Sequence, residues 1–139
     1  VNFMAKPLHI ASIHHVAIIC SDYPRSKQFY TEILGFEIIA ETYRAERDSY
    51  KLDLRVGEKE QIELFSFSDR PERPRYPEAR GLRHLAFAVS NLEAQISKLE
   101  SNNIEVEPIR LDELTGQRFT FFQDPDGLPL ELYESIEKS

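Results

Sequence analysis

Hydrophobic positions along the chain change period several times, and each change marks an element. Residues 14–21, HHVAIICS, form a short β-branched and apolar run that predicts a strand. Asp22 then stands where an N-cap belongs, and Pro24 falls in the first turn, where its missing N–H costs nothing. Phe29, Tyr30, Ile33 and Leu34 recur at helical spacing and Gly35 follows as a C′ residue, which predicts a helix from about Tyr23 to Leu34. Strands are predicted over Phe36 to Glu41, Tyr50 to Val56 and Gln61 to Phe67, with Gly57 in the turn between the last two.

From Ser68 to Gly81 the pattern breaks. Pro71, Pro74 and Pro77 alternate with Arg70, Arg73, Arg75 and Arg80, a composition that neither a helix nor a central strand tolerates, so this stretch is a connector. The opening motif then returns as HLAFAVSN, residues 84–91, a strand ending in an N-cap residue. Leu92, Ile96 and Leu99 mark a second amphipathic helix that ends near Asn102 or Asn103. Strands follow at Ile104 to Ile109, Gln117 to Gln123 and Leu128 to Tyr133, with DPDG as a tight turn between the last two.

The chain is therefore an internal duplication. His15 aligns with His84, Ala17 with Ala86 and Asp22 with Asn91 at an offset of 69 residues; Ile62 to Phe65 answers Leu130 to Tyr133 at an offset of 68. The expected fold is α+β, one domain over residues 1–139. Two tandem βαβββ modules, about 12–67 and 82–135, are joined by the connector at 68–81 and form a cupped, mostly antiparallel sheet.

Strand parity places the chemistry, because alternate residues face opposite sides. His15, Ala17 and Ile19 share one face; Val16, Ile18 and Cys20 share the other. The second copy sets His84, Ala86 and Ala88 against Leu85, Phe87 and Val89. Phe65 and Phe67 lie on the side of Glu63, and Tyr133 on that of Glu131, while Ile62, Leu64, Leu130 and Leu132 oppose them. One face is thus uniformly apolar, as expected where a sheet packs on helices. The other holds two imidazoles and two carboxylates among small and aromatic residues. A carboxylate between apolar neighbours in an inner strand is costly unless paired or metal-bound. Two of them, each repeated with a His, suggest one shared divalent cation held by His15, Glu63, His84 and Glu131. This mixed nitrogen and oxygen set suits Zn or Ni, with Co, Mn or Fe(II) as alternatives. His9 and His14, which do not repeat, read as structural, and Cys20 reads as inert core.

Composition narrows the setting. With 24 acidic and 17 basic residues the net charge of −7 argues against nucleic acid, whose binding rests on neutralising phosphates, and against a polybasic membrane surface. A single Cys forms no intrachain disulfide, which fits a reducing, cytoplasmic location. No apolar run approaches the ~18 residues needed to span a bilayer, and the N-terminus lacks a signal-peptide pattern.

The repeated His and Glu residues, with ERDSYKLDL, ELFSF, RPERP, GLRHLAF and RFTFFQDPDGLPLELYE, resemble the vicinal oxygen chelate superfamily of glyoxalase I, fosfomycin-resistance thiol transferases, extradiol dioxygenases and bleomycin-resistance proteins. The likeness runs from about Ile13 to Glu134 and is especially close to a bacterial glyoxalase-like subgroup, the YaeR type. It implies paired βαβββ modules, a divalent metal in the cup and a homodimer. The family's ligands fall on His15, Glu63, His84 and Glu131, the His-Glu-His-Glu set of glyoxalase I; the related epimerase has Gln in place of Glu63. The implied activity is that of a metal-dependent lyase or isomerase of lactoylglutathione lyase type. It would act through a metal-stabilised enediolate, with Glu131 as general base and Glu63 serving the opposite face. The substrate is a small oxygenated molecule, including adducts of a thiol such as glutathione. Ile19 and Phe67 replace an Arg and an Asn that contact glutathione in bacterial glyoxalase I. Phe65, Phe67 and Tyr133 are expected to line the substrate pocket, and Arg83 and Arg118, with Arg73 or Arg80, to bind an anionic group. The alternatives are a fosfomycin-type thiol transferase and a metal-free protein that sequesters its ligand.

Overall fold

The computed structural model describes residues 6–67, 69–74 and 78–135; Arg75 and Pro77 of the connector lie outside the described residues. The first module runs His15–Cys20 (β1), Tyr23–Gln28 (α1), a π-helical turn Phe29–Ile33, Glu37–Arg44 (β2), Ser49–Val56 (β3) and Glu60–Ser66 (β4). The second runs Leu85–Val89 (β5), Leu92–Ser101 (α2), Arg110–Leu111 (β6), Arg118–Gln123 (β7) and Pro129–Glu134 (β8). Each module builds one four-stranded sheet, in the orders β1-β4-β3-β2 and β5-β8-β7-β6. Only the first pairing in each order is parallel; the other two are antiparallel. The duplication extends to register, since Ala17 faces Glu63 across β1 and β4 as Ala86 faces Glu131 across β5 and β8. Among the described residues no helix is long and apolar enough to cross a membrane.

Both helices start at the predicted caps. The Asp22 side chain accepts a hydrogen bond from the Arg25 N–H at 3.2 Å, and Asn91 accepts one from Ala94 at 3.2 Å. The first helix differs from expectation in its second half. After Gln28 it widens into a π turn that brings Phe29 and Tyr30, adjacent in sequence, both into the core, and it stops at Gly35 with φ of +81°.

The strand predicted at Ile104 to Ile109 does not form. Ile104 and Val106 pack against the core, and the Glu107 N–H donates to the Phe121 carbonyl. Pro108 then has no N–H to continue a ladder, so regular pairing is confined to the two residues of β6.

The core is the apolar face that parity predicted. Ile18, Ile62, Leu64, Leu130 and Leu132 are buried, with Val16, Leu85, Phe87 and Val89 packed on them. Helix residues Phe29, Tyr30, Leu92 and Leu99 close it from the other side. The modules are joined at a buried polar contact, where the Tyr30 hydroxyl donates to Asp124 Oδ2 at 2.8 Å. A second tie runs from the Ser21 N–H to Asp126 Oδ2 at 3.1 Å.

Arg118 belongs to this framework and not to a substrate pocket. Its neighbours Phe119 and Phe121 pair with Tyr133 and Glu131, so Arg118 points to the helix side with Thr120 and Phe122. There its guanidinium donates to Glu134 at 2.8 and 3.1 Å and to Glu93 at 2.6 and 2.9 Å, stapling the start of α2 to β7 and β8. The cation holds the Glu93 carboxyl down at about 2 and lowers that of Glu134 as well. Unfolded carboxyls regain their ordinary values and take up protons first, so this contribution is present above about pH 4.5 and fades as pH falls toward 2. Glu93 is exposed and Glu134 partly so, and the effect is correspondingly modest. Arg118→Gln is expected to narrow the gap between urea midpoints measured at pH 6 and pH 3. An unchanged gap would remove this network from acid stability.

Candidate metal centre

Opposite the core, each sheet exposes a concave face bearing one His and one Glu. In the first module His15 Nε2 lies 3.5 Å from Glu63 Oε1. In the second, His84 Nε2 lies 2.9 Å from Glu131 Oε1. The two carboxylates are 12% and 10% exposed at their side chains and the two imidazoles 40% and 28%, so each pair remains open to solvent chiefly through its imidazole. The chain brings the four residues together as two pairs. Among the described residues no three His, Cys, Asp or Glu side chains converge as a metal site would require.

The pairs are alike in donors and unlike in surroundings. Glu63 sits across from Asp53 on β3, with Lys51 Nζ at 3.8 Å from it and 3.1 Å from Asp53. Glu131 instead sits across from Phe121, whose ring meets His84 edge to face at 5.0 Å; Phe119 and Tyr133 stack at 6.3 Å one row further along. One carboxylate therefore lies in a charged network and the other under an aromatic wall. A cavity of about 520 Å³ opens over the second pair, lined by His84, Glu131, Phe119, Phe121, Arg83 and Arg110 among others. A larger open groove of about 1840 Å³ passes Ala17, Ile19, Phe67 and Phe121 but touches none of the four His and Glu residues.

The expected pocket aromatics lie on the cup face. Phe65 and Phe67 stack at 6.0 Å, and the Tyr133 hydroxyl is tied to Asp112 Oδ2 at 2.9 Å. Arg83 is exposed and paired with Glu78 at 3.1 Å at the rim of the smaller cavity. Arg73 and Arg80 line the same cavity, Arg73 donating to the Leu82 carbonyl. Cys20 is buried, and burial pushes its thiol up to about 11, which makes it inert at neutral pH.

Three residues of this face escaped the sequence reading. His14, expected to be merely structural, places its Nδ1 2.9 Å from the Nδ1 of His15 and so holds that ring with Nε2 toward Glu63. Arg44 and Arg110 each lie over a pair of aromatic rings. His14 could have been found as the immediate neighbour of a candidate ligand. The arginines had no such signal, since their ring partners come from other strands.

A duplicated βαβββ chain with a His and a Glu on each concave face defines a class, and the family model confirms it. Residues 12–132 match the Glyoxalase/Bleomycin resistance protein/Dioxygenase superfamily, and the chain belongs to it. The protein is similar to YwkD of Bacillus subtilis, 63% identical over 125 residues covering 90% of this chain and 98% of that one. It is also similar to YaeR of Escherichia coli, 57% identical over 127 residues, 91% of this chain and 98% of the other. The crystal structure of a glyoxalase family protein from Enterococcus faecalis superposes with a TM-score of 0.82 at 53% identity, covering 88% of this chain and 97% of that one. More distant relatives, at 28–29% identity, include a 2-epi-5-epi-valiolone epimerase of Actinomyces, Glyoxylase I 4 of Arabidopsis thaliana and Metallothiol transferase FosB of Staphylococcus saprophyticus.

Proposed function

We propose that the protein is a metal-dependent lyase or isomerase of glyoxalase type, whose site is completed when the His15–Glu63 pair of one chain meets the His84–Glu131 pair of a second copy. The observation that carries this reading is the presence of two half-sites of identical donor chemistry, each on an exposed cup face, that do not meet within one chain. Two ligands hold a divalent cation poorly, whereas two imidazoles and two carboxylates satisfy its charge and donor preference. A two-fold dimer pairs unlike half-sites twice over and leaves none unpaired.

In this reading His15 and His84 hold the cation, and Glu63 and Glu131 complete the set. The bound cation supplies Lewis-acid polarisation of the substrate's oxygen atoms. Glu131 takes a proton from the carbon next to the polarised group and returns it to the adjacent one. Glu131 opens on the smaller cavity beside Phe121 and the Phe119–Tyr133 stack, and no Lys or Arg lies within ion-pair distance of it among the described residues, which leaves its oxygens to the substrate and cation. Glu63 already shares its charge with Lys51 and serves the opposite face. His14 orients His15.

Subunit complementation tests the assembly. One variant carries His15→Ala and Glu63→Ala, the other His84→Ala and Glu131→Ala. Each alone is expected to bind no zinc in equilibrium dialysis. Mixed, unfolded and refolded together in equal amounts, they should recover about a quarter of wild-type capacity, because half of the dimers are mixed and each holds one intact site. No recovery, with both variants dimeric, would refute a site shared between chains. Failure of the wild type to take up any transition metal would point instead to ligand sequestration.

A further inference from the structure

We propose that residues 8–13 form a docking arm for a second copy of this chain, adding a strand to the open edge of β5 in that copy. The choice of β5 rests on the shared site proposed above; the arm's need for a partner surface does not.

Lys6 to His14 form neither helix nor strand, and all of them are exposed. The Gln61 N–H donates to the His14 carbonyl at 3.1 Å, which ties the end of the arm to β4. Before that tie, Leu8, Ile10 and Ile13 stand 82%, 77% and 71% exposed. A single surface Leu or Ile is ordinary, but three within six residues, on a stretch that joins no sheet of its own chain, form a patch. Each aliphatic side chain offers on the order of 100 Å² of apolar surface. The arm thus brings roughly 300 Å² toward the ~800 Å² that each partner buries in a stable dimer. That is a large share but not the whole, so the arm strengthens a dimer that other surfaces also hold.

The sheets end in β1, β2, β5 and β6, and these edges differ in what they can accept. β2 carries Glu37, Glu41 and Arg44, and its ladder shifts register between Ile38 and Ala40; both features blunt an edge. β6 is only two residues long. β1 of the second copy bears the like half-site, whereas a shared cation joins unlike ones. β5 is LAFAV, with no charge, no Pro and an unbroken register to β8 on its other side. Its five residues span roughly 17 Å and the six of the arm roughly 20 Å. Charge agrees with this choice, since residues 6–14 hold one Lys and no acid while residues 82–135 hold ten acids and four Lys or Arg.

Duplication sets the orientation. Ile13 aligns with Leu82 at the same offset of 69 that aligns His15 with His84, and Leu82 too is exposed, at 53%. Halves related in this way that share one cation face each other across an approximate two-fold axis, which runs β1 antiparallel to β5 of the second copy. The residues before His15 then lie beside those after His84, and the residues before His84 beside those after His15. The first pairing covers the arm, and the second brings Leu82 to Ile19, which is 50% exposed on β1. Parity puts Ala11 on the side of His15, as it puts Ala86 and Ala88 on the side of His84.

Paired cysteines test the contact, and the native Cys20 is buried and does not interfere. Ala11→Cys is combined with Ala86→Cys or with Ala88→Cys, all at exposed positions, and the metal-free full chain is oxidised with diamide. Covalent dimers on a non-reducing gel are expected from at least one of the two pairs, and none when Ala11→Cys is combined with Ala40→Cys on β2. Leu8→Ser with Ile10→Ser should raise the dimer dissociation constant at least tenfold in sedimentation equilibrium, with the far-ultraviolet circular dichroism unchanged. Covalent dimers from the Ala40→Cys pair alone, thiol loss confined to single chains, or an unchanged dissociation constant would overturn the arm. A dimeric wild type whose cysteine pairs give no covalent dimer would sink this inference alone. Covalent dimers of a protein whose wild type takes up no zinc would sink the metal reading and leave the arm standing.

Discussion

Glu131→Gln is expected to lower turnover by about 10²- to 10⁴-fold, the range spanned by removal of a positioned general base, while leaving fold and metal site in place. Gln preserves the shape and one oxygen donor of Glu but cannot take up a proton. The packing supports a localised effect. Glu131 is 8% exposed, and its described polar contact is His84, so the substitution disturbs a single side-chain contact. The assay uses methylglyoxal with a panel of thiols, and turnover is compared on whichever adduct the wild type consumes fastest. Glu63→Gln serves as the paired control. Its site keeps the Lys51–Asp53 ion pair, and the smaller loss is expected there. Full activity in Glu131→Gln, or a larger loss in Glu63→Gln, would reverse the roles of the two carboxylates.

The placement of the four His and Glu residues, one pair on the face of each sheet away from the core, was legible because a duplicated chain states such positions twice. A lone His on a strand carries little information, but His15 and His84 recur at the offset that also aligns Ala17 with Ala86, and parity puts each on the face of its Glu. The register pairs Ala17 with Glu63 and Ala86 with Glu131, which leaves only small side chains beside each carboxylate on that flank. What the sequence concealed depends on distance along the chain. Arg44 and Phe65 are neighbours through two strand pairings, and no local pattern announces that. Arg118 is the opposite case. It was expected to bind an anionic group, yet it lies on the core face with Thr120 and Phe122, where Glu93 and Glu134 already engage its guanidinium. The short β6 shows a local rule outweighed: Ile104 and Val106 alternate as a strand should, but Pro108 ends the ladder.

Asp124→Ala should be the most destabilising single change at the junction of the modules, by about 3–4 kcal/mol. The side chain is 6% exposed and serves three donors: the Tyr30 hydroxyl at 2.8 Å and the backbone N–H groups of Asp126 and Leu128, each at 2.9 Å. Ala would strand a fully buried hydroxyl and a buried amide together, and each such orphan costs about 1–3 kcal/mol. Tyr30→Phe removes the hydroxyl and leaves Asp124 its two amides, so about 1–2 kcal/mol is expected from it. The double variant should be less unstable than the sum of the two, with coupling of about 1–2 kcal/mol, because the Asp124 substitution no longer abandons a hydroxyl. Additive losses would mean that the two groups do not act on each other. Burial holds the Asp124 carboxyl above its ordinary value, so the folded state binds its proton more tightly than the unfolded one, and this group's contribution weakens as pH rises past about 4. Asp124→Asn should remove that dependence and cost less than Ala, since its amide oxygen still accepts from Leu128. Urea midpoints at pH 4 and pH 7 for the wild type and these variants measure all of this. The contact reaches the cups as well: Asp124 opens the turn into β8, which carries Glu131, and Tyr30 lies in the helical segment packed behind β1 and β4, which carry His15 and Glu63. On the proposed reading of a site shared between two copies, a looser junction would also loosen the two half-sites, so Tyr30→Phe, which stays folded, should weaken zinc uptake as well as stability.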